Sequence, residues 1–547
     1  MLGSLDLVIV GLFLAATVAT GLWFSRRWRG SEDFFLAGRS LRWPLIGFSL
    51  FATNISAEHF VGLAAGGAKD GLVQGGWEWM ASYCLIVLAL VFAPQYLRQR
   101  VYTIPEFFER RYGLEARVGL AGYFLAMIVL TKTAVAIYAG TKVIHYFLAE
   151  DFPSISPAAI MWTLGAVTAL YTMAGGLTAV VYTDTIQAIV LIAGSVILTL
   201  RALGEVGGWS GLVDALAQAG ESDKLSMVRP ATADEKLPFS GYVLGNFLVG
   251  GMFYWCMDQV NVQRVLGARS IEEGRRGAVF AGFLKIIPVF IFVLPGVIAS
   301  VLWRNEISDA DATYSFLVDR LLGPGLRGLV LAALMAALMS SLSSAFNSAA
   351  TIASRDFLAR FRPTASARAQ ILVGQIALVL VMVSGVTVAS SGFIAQHFDH
   401  LWDYLQEVTG YLSAPFAAAG LLGVLSRRVN RAGALAGIIA GILAGGVFFV
   451  EAHADLFLEN DGFIEHPLLQ AMLHRVFVAF AIACVTMVAV SLVTTPPSEE
   501  VRAGAFSIFA RKDKSEVGEP KPHLLADSRL WAAILFAIVT TLWVAFR

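Results

Sequence analysis

The sequence predicts an all-helical integral membrane protein that crosses the bilayer fourteen times, with both termini external. Three observations lead there. The 547 residues are 57% hydrophobic and 15% charged, with a mean hydropathy of +0.69, whereas a soluble domain carries about 25% charged residues. Apolar stretches of the roughly 20 residues needed to span hydrocarbon as a helix recur along the whole chain. Arginine and lysine gather in alternate loops, which the positive-inside rule makes cytoplasmic.

The first span is residues 5–25. No basic region precedes it and Arg26, Arg27 and Arg29 follow, so it is expected to be retained rather than cleaved as a leader. Spans at 44–68 and 77–97 come next, and then a loop holding Arg98, Arg100, Arg110, Arg111 and Arg117. Three more spans, 118–148, 156–173 and 178–202, lead to a polar external segment, 204–238. Spans 240–260 and 277–303 flank Arg264, Arg269, Arg275 and Arg276, and spans 327–354 and 368–390 flank Arg355, Arg360 and Arg362. Segment 391–398 has no Lys or Arg, and span 399–425 ends at Arg427, Arg428 and Arg431. Spans 432–452, 468–494 and 529–546 complete the set, separated by an acidic segment, 453–466, and a charged cytoplasmic one, 496–526.

Several function classes fall away on composition. The formal net charge of zero gives no footprint for nucleic acid. Cys84, Cys256 and Cys484 lie in apolar stretches without metal-ligand spacing and read as small core residues. Phosphate-binding loops, zinc-peptidase signatures and a soluble active-site domain are all missing, which opposes an enzyme.

Polar residues inside spans are costly and usually face a bundle interior or an aqueous cavity. The most conspicuous group is Thr53, Asn54, Ser56, Glu58 and His59, in the middle of the second span. A polar break there can expose backbone carbonyls to an ion. In 331–357, Ala337, Ser340, Ser341 and Ser344 share a helical face with Ser343 at its flank, as hydroxyl ligands for a hard cation or as a small-residue packing stripe. Gly245, Gly250 and Gly251 loosen the seventh span just before Tyr254 and Trp255, which suit a sugar ring or a passage plug, or an interfacial belt. Asp258 and Arg264 are expected to pair near the cytoplasmic end. Lys285 lies too deep to snorkel easily and calls for a cavity or a carboxylate. Glu78, Asp184 and Gln406 each fit a ligand contact or a structural polar role.

With these residues assembled, the chain resembles the sodium/glucose cotransporter family of solute:sodium symporters, from about residue 30 to 430. The motifs are EDFFLAGR at 32–39, SLFATNISAEHFVG at 49–62, YTIPEFFERRYG at 102–113, GGLTAVVYTD at 175–184, YWCMDQVNVQRVL at 254–266 and SSLSSAFNSA at 340–349. The resemblance implies a leucine-transporter-type fold with two inverted five-helix repeats, about 44–202 and 240–425, in one transporter domain covering 1–547. Helices 5–25, 432–452, 468–494 and 529–546 are additions to that core.

By the same resemblance, one sodium site uses backbone oxygens of Ala52, Ile55 and Ala337 and the hydroxyls of Ser340 and Ser341. A second uses Ser340, Ser343, Ser344 and Asp184. The sugar site comprises Asn54, His59, Glu78, Lys285 and Gln406, with Tyr254 as inner gate and Trp255 beside it. Leu63, Trp77 and Trp402 match an outer apolar gate. At His59 and Gly251 the chain departs from some bacterial galactose transporters, which carry Gln and Asn there, and is more similar to animal glucose and inositol carriers.

The implied activity is symport of a hexose such as glucose or galactose, with two Na+ per sugar. The setting is the inner membrane of a bacterium, as a multi-pass protein of the lipid bilayer. Rival solutes are myo-inositol, a sialic acid, proline or pantothenate. A sodium-gated channel or sensor on the same scaffold is the rival of a different class.

Overall fold

A computed structural model describes residues 3–25, 30–149, 152–232, 235–307, 309–392, 401–453, 466, 469–499, 501 and 527–547. Among these the chain is helical, and the extended pairing is a single bridge between Leu41 and Ala268. Eleven helices of the described residues are long and apolar enough to cross a membrane. Most of segment 496–526 lies outside the described residues.

The expected spans 156–173 and 178–202 fall within one helical stretch, Pro157–Glu205, interrupted at Gly176 (φ 58°, ψ −161°). Asp184 meets Ser340 and Gly194 packs on Ala333 and Val330, so the second arm runs antiparallel to the helix Leu326–Ile352. Continued straight, Tyr171 would lie beyond Ile352. It instead donates to the Met339 carbonyl at 2.9 Å. The chain therefore turns back at Gly176, where a Cβ would also meet the Phe34 carbonyl at 2.5 Å.

Two other expected spans are broken helices. Trp43–Asn54 stops at Ile55 (φ −76°, ψ 115°), and the chain resumes as a wide turn at His59–Leu63 and the helix Ala64–Asp70. The glycine-rich stretch Tyr242–Gly251 is a widened helix that runs into Met252–Cys256 and ends at Met257. Gly245 lies against Leu473 so closely that a Cβ would sit 2.0 Å from its carbonyl oxygen. That contact brings the helix Met472–Val493 against the cavity described below.

Leu326–Ile352 is the central helix. From Val330 to Ile352 every residue is buried, so its serine face looks at other helices and not at lipid. Its N-terminus is held by Asp6, whose Oδ1 accepts from the N–H groups of Gly325 and Gly328, both at 2.7 Å. A carboxylate at a helix N-terminus satisfies free donors and complements the helix dipole.

Candidate functional site: a helix break facing a charged cavity

The break after Asn54 releases two carbonyls. The Ser56 N–H turns to His59 Nδ1 at 3.3 Å rather than back to Ala52. The His59 N–H goes to the Ser56 carbonyl at 3.0 Å rather than to Ile55. Ser341 comes in from the central helix and donates from Oγ to the carbonyls of Thr53 at 3.1 Å and Ile55 at 3.4 Å. Ala52, Ile55, Ala337 and Ser340 are all buried. Carbonyl and hydroxyl oxygens in a dry setting suit a hard monovalent cation, and the set fits sodium.

Asp184 lies beside this junction, fully buried. Ser340 Oγ donates to its Oδ1 and Ser49 Oγ to its Oδ2, each at 2.6 Å. Thr53 Oγ1 bridges toward it at 3.5 Å and to Ser344 Oγ at 3.0 Å. Ser343 donates to the carbonyl of Ser340 at 3.0 Å. The oxygens fit a cation, but a guanidinium is already there. Arg264, fully buried, has Nη2 3.9 Å from Asp184 Oδ2 and hydrogen-bonds Ser344 Oγ. The expected Asp258–Arg264 pair is therefore not what the structure shows. Asp258 faces Lys132 Nζ at 3.4 Å and caps the helix Gln259–Leu266 through Val260 N–H at 2.9 Å. The reason is depth: Arg264 is fully buried, and its guanidinium meets Asp184 and the Ser344 hydroxyl.

On the other side of the break is a cavity with about 820 Å³ of space not filled by atoms, including its open mouth. Asn54, His59, Glu78, Tyr254, Trp255, Gln406 and Trp77 line it. Asn54 Nδ2 donates to Tyr254 Oη at 3.0 Å, and its Oδ1 accepts from Lys285. Lys285 also pairs with Glu78, whose Oε1 is 3.6 Å from His59 Nε2. The Tyr254 and Trp255 rings meet edge to face at 5.2 Å. Five polar side chains thus form one chain of contacts: Tyr254, Asn54, Glu78 and His59 line the cavity, and Lys285, fully buried, joins Asn54 to Glu78 from behind the wall. Leu63 is fully buried away from the lining, and the side chain of Trp402 lies outside the described residues.

Some wall residues were not singled out from sequence. Lys132 stands over the Tyr254 ring at 3.8 Å. It is a lysine deep inside an apolar span, the same signal that marked Lys285. Asn246 and Thr409 carry a weaker polar signal, and Met472, Leu473 and Val476 carry none. A polar vestibule with Lys69, Asp70, Glu407 and Glu451 shares Trp77, Gln406, Met472 and Leu473 with the cavity, giving it a polar approach.

Residues 34–441 match the Sodium:solute symporter family. The chain belongs to that family. The sodium/myo-inositol cotransporter of Canis lupus familiaris is 35% identical over 95% of the chain and 78% of its own length. The sodium/mannose cotransporter of Bos taurus is 38% identical over 78% of the chain and 76% of its own. Sodium/glucose cotransporter 1 of Ovis aries is 34% identical over 78% and 69%. Among solved structures, a Na+-coupled sialic acid symporter in a substrate-bound outward-open state superposes with a TM-score of 0.77. It shares 20% identity over 91% of this chain and 99% of its own, a likeness of fold. As a sodium:solute symporter the chain is a multi-pass membrane transporter and not an enzyme. Sodium is its coupling ion, and a small-molecule solute is its cargo.

Proposed function

We propose that this symporter carries a neutral sugar or polyol into the cell by alternating access, driven by two sodium ions. The supporting observation is the shared break. Asn54 joins the Tyr254, Lys285 and Glu78 contacts on the cavity side, while the adjacent Ile55 carbonyl meets Ser341 on the ion side. An ion that orders this junction also orders the solute wall, which is the differential interaction that coupling requires. The hexose ring would stack on the Tyr254 and Trp255 surfaces, and its hydroxyls would meet Asn54, His59, Glu78, Lys285 and Gln406.

The first ion is assigned to Ala52, Ile55, Ala337, Ser340 and Ser341. The second is assigned to Ser340, Ser343, Ser344 and Asp184, and its entry requires Arg264 to withdraw from Ser344. Each charge crossing at 100 mV supplies about 2.3 kcal/mol, so two ions double the electrical drive. The architecture that fits is a leucine-transporter-type fold with repeats at about 44–202 and 240–425, each opening with a broken helix. Counting the two broken helices and the two arms around Gly176 with the other long helices supports a reading of fourteen spans, and the arginine-rich alternate loops support external termini. The membrane is one with an inward sodium gradient, the inner membrane in a bacterium.

Glucose and galactose are the first hexoses to test. Myo-inositol is the second solute to test, because a relative named for it aligns over 95% of the chain. A sialic acid fits less well, since its carboxylate would share the cavity with Glu58 and Glu78. Purified protein in proteoliposomes should accumulate a labelled hexose or inositol under an inward sodium gradient. Equal uptake with potassium, or none across a hexose and polyol panel, would reject the proposal.

A further inference from the structure

Glu58 has no task in the contacts above, and its surroundings leave one open. It stands four residues beyond Asn54 across the break, immediately before the wide turn that holds His59, and lines the solute cavity. Its Oε2 is buried without a hydrogen-bond partner. Its Oε1 is 4.0 Å from His59 Nδ1, beyond hydrogen-bond distance, and that nitrogen accepts the Ser56 N–H. Donors of Asn54, Lys285 and Lys132 are engaged with other groups. Asn54 Nδ2 goes to Tyr254, and Lys285 to Asn54 and Glu78. Lys132, within electrostatic reach of Glu58, sits between Asp258 and the Tyr254 ring.

A buried carboxylate oxygen without a donor is costly, and a ligand that brings the donor removes the cost. A carboxylate presents two acceptor oxygens side by side, which adjacent hydroxyl groups match and a single hydroxyl does not. Glu78 cannot take that part, because Lys285 and His59 already face it.

We propose that Glu58 is a specificity-determining residue that accepts hydrogen bonds from a vicinal diol of a neutral substrate and disfavours solutes bearing a carboxylate. The inference rests on the sugar-or-polyol reading of the cavity. Because a site built to hydrogen-bond a hydroxyl rejects analogues that lack it, two neighbouring substrate positions should be unusually sensitive to deoxygenation.

The experiment is competition against the best-transported labelled hexose or polyol in proteoliposomes, using its complete set of monodeoxy analogues. It compares the wild type, Glu58→Gln and Glu58→Asp. In the wild type, removing either of two adjacent hydroxyls should weaken competition about tenfold or more. In Glu58→Gln those two penalties should shrink to about threefold or less, while penalties at other positions persist. The corresponding uronic acid should compete better against Glu58→Gln than against the wild type. Penalties are ratios within one preparation, so differences in expression cancel. A wild-type series without a sensitive adjacent pair overturns the proposal without recourse to any variant. So does a sensitive pair that Glu58→Gln and Glu58→Asp leave unchanged. Both outcomes leave hexose or polyol transport intact as a function, whereas a wild type that transports neither defeats that reading and this inference together.

Discussion

The hydroxyl of Ser341 bridges the Thr53 and Ile55 carbonyls, and one rotation about its C–O bond would turn its lone pairs toward an ion between them. Ser341→Ala removes that oxygen without disturbing helix propensity. It should raise the half-saturating sodium concentration at least tenfold, or abolish sodium dependence, in tracer uptake. Ser344 and Asp184 act at a different point. Ser344 is held by Arg264, and Asp184 by Ser49 and Ser340. Ser344→Ala or Asp184→Ala should lower the sodium-to-solute ratio from two toward one in a reversal-potential measurement, with coupled uptake surviving. An unchanged ratio would count against the second ion. At this scale much was legible: Asn54, His59 and Lys285 stood out because hydrocarbon tolerates such groups poorly. Arg264 was misjudged because its position near a span end suggested an interfacial residue, whereas it is fully buried.

Among the elements, the short helix Ile104–Tyr112 ties the end of the central helix to its neighbours. Glu109 faces Arg117 at 2.5 Å and Arg360 at 2.7 Å, and Arg117 also reaches Asp356 at 2.8 Å. Partial burial alone would raise the Glu109 pKa, but the two guanidiniums outweigh it and hold the carboxyl below its ordinary value. A lowered folded pKa stabilises the native state above the unfolded value of about 4.3 and loses that contribution as pH falls through the folded one. The pairing is partly exposed, so solvent screening limits it to about 1 kcal/mol or less. Glu109→Gln should therefore melt lower than the wild type at pH 7 in detergent, and the gap should close below pH 4. A gap independent of pH would show that the ion pairs are not its cause. Broken elements were also partly legible. Polar residues marked the first break and three glycines the second, but neither pattern told that Gly245 serves the backbone of Leu473.

In the whole molecule, the proposed ion junction and the proposed solute cavity lie on opposite sides of one short non-helical stretch, so an ion and a solute bound there would act on the same two states. If two charges cross with each solute, hyperpolarising vesicles bathed in external sodium should steepen solute accumulation more than a single charge could, by about 2.3 kcal/mol per 100 mV for the additional ion. Accumulation ratios measured against imposed potassium-valinomycin potentials check this, and a slope of one charge would remove the second ion. The sequence by itself determined the membrane class, the run of apolar spans, the family motifs and the two places where helices break. These are local properties, written in composition and spacing along the chain. Only the tertiary structure decided which partner each buried charge takes: Arg264 beside Asp184, Asp258 beside Lys132, Lys285 on Glu78 and Asn54. It also put the apolar Met472, Leu473 and Val476 on the cavity wall. The physical reason is that pairing in a bundle is set by distance between helices remote in sequence, and an apolar side chain looks the same in sequence whether it meets lipid, core or solute.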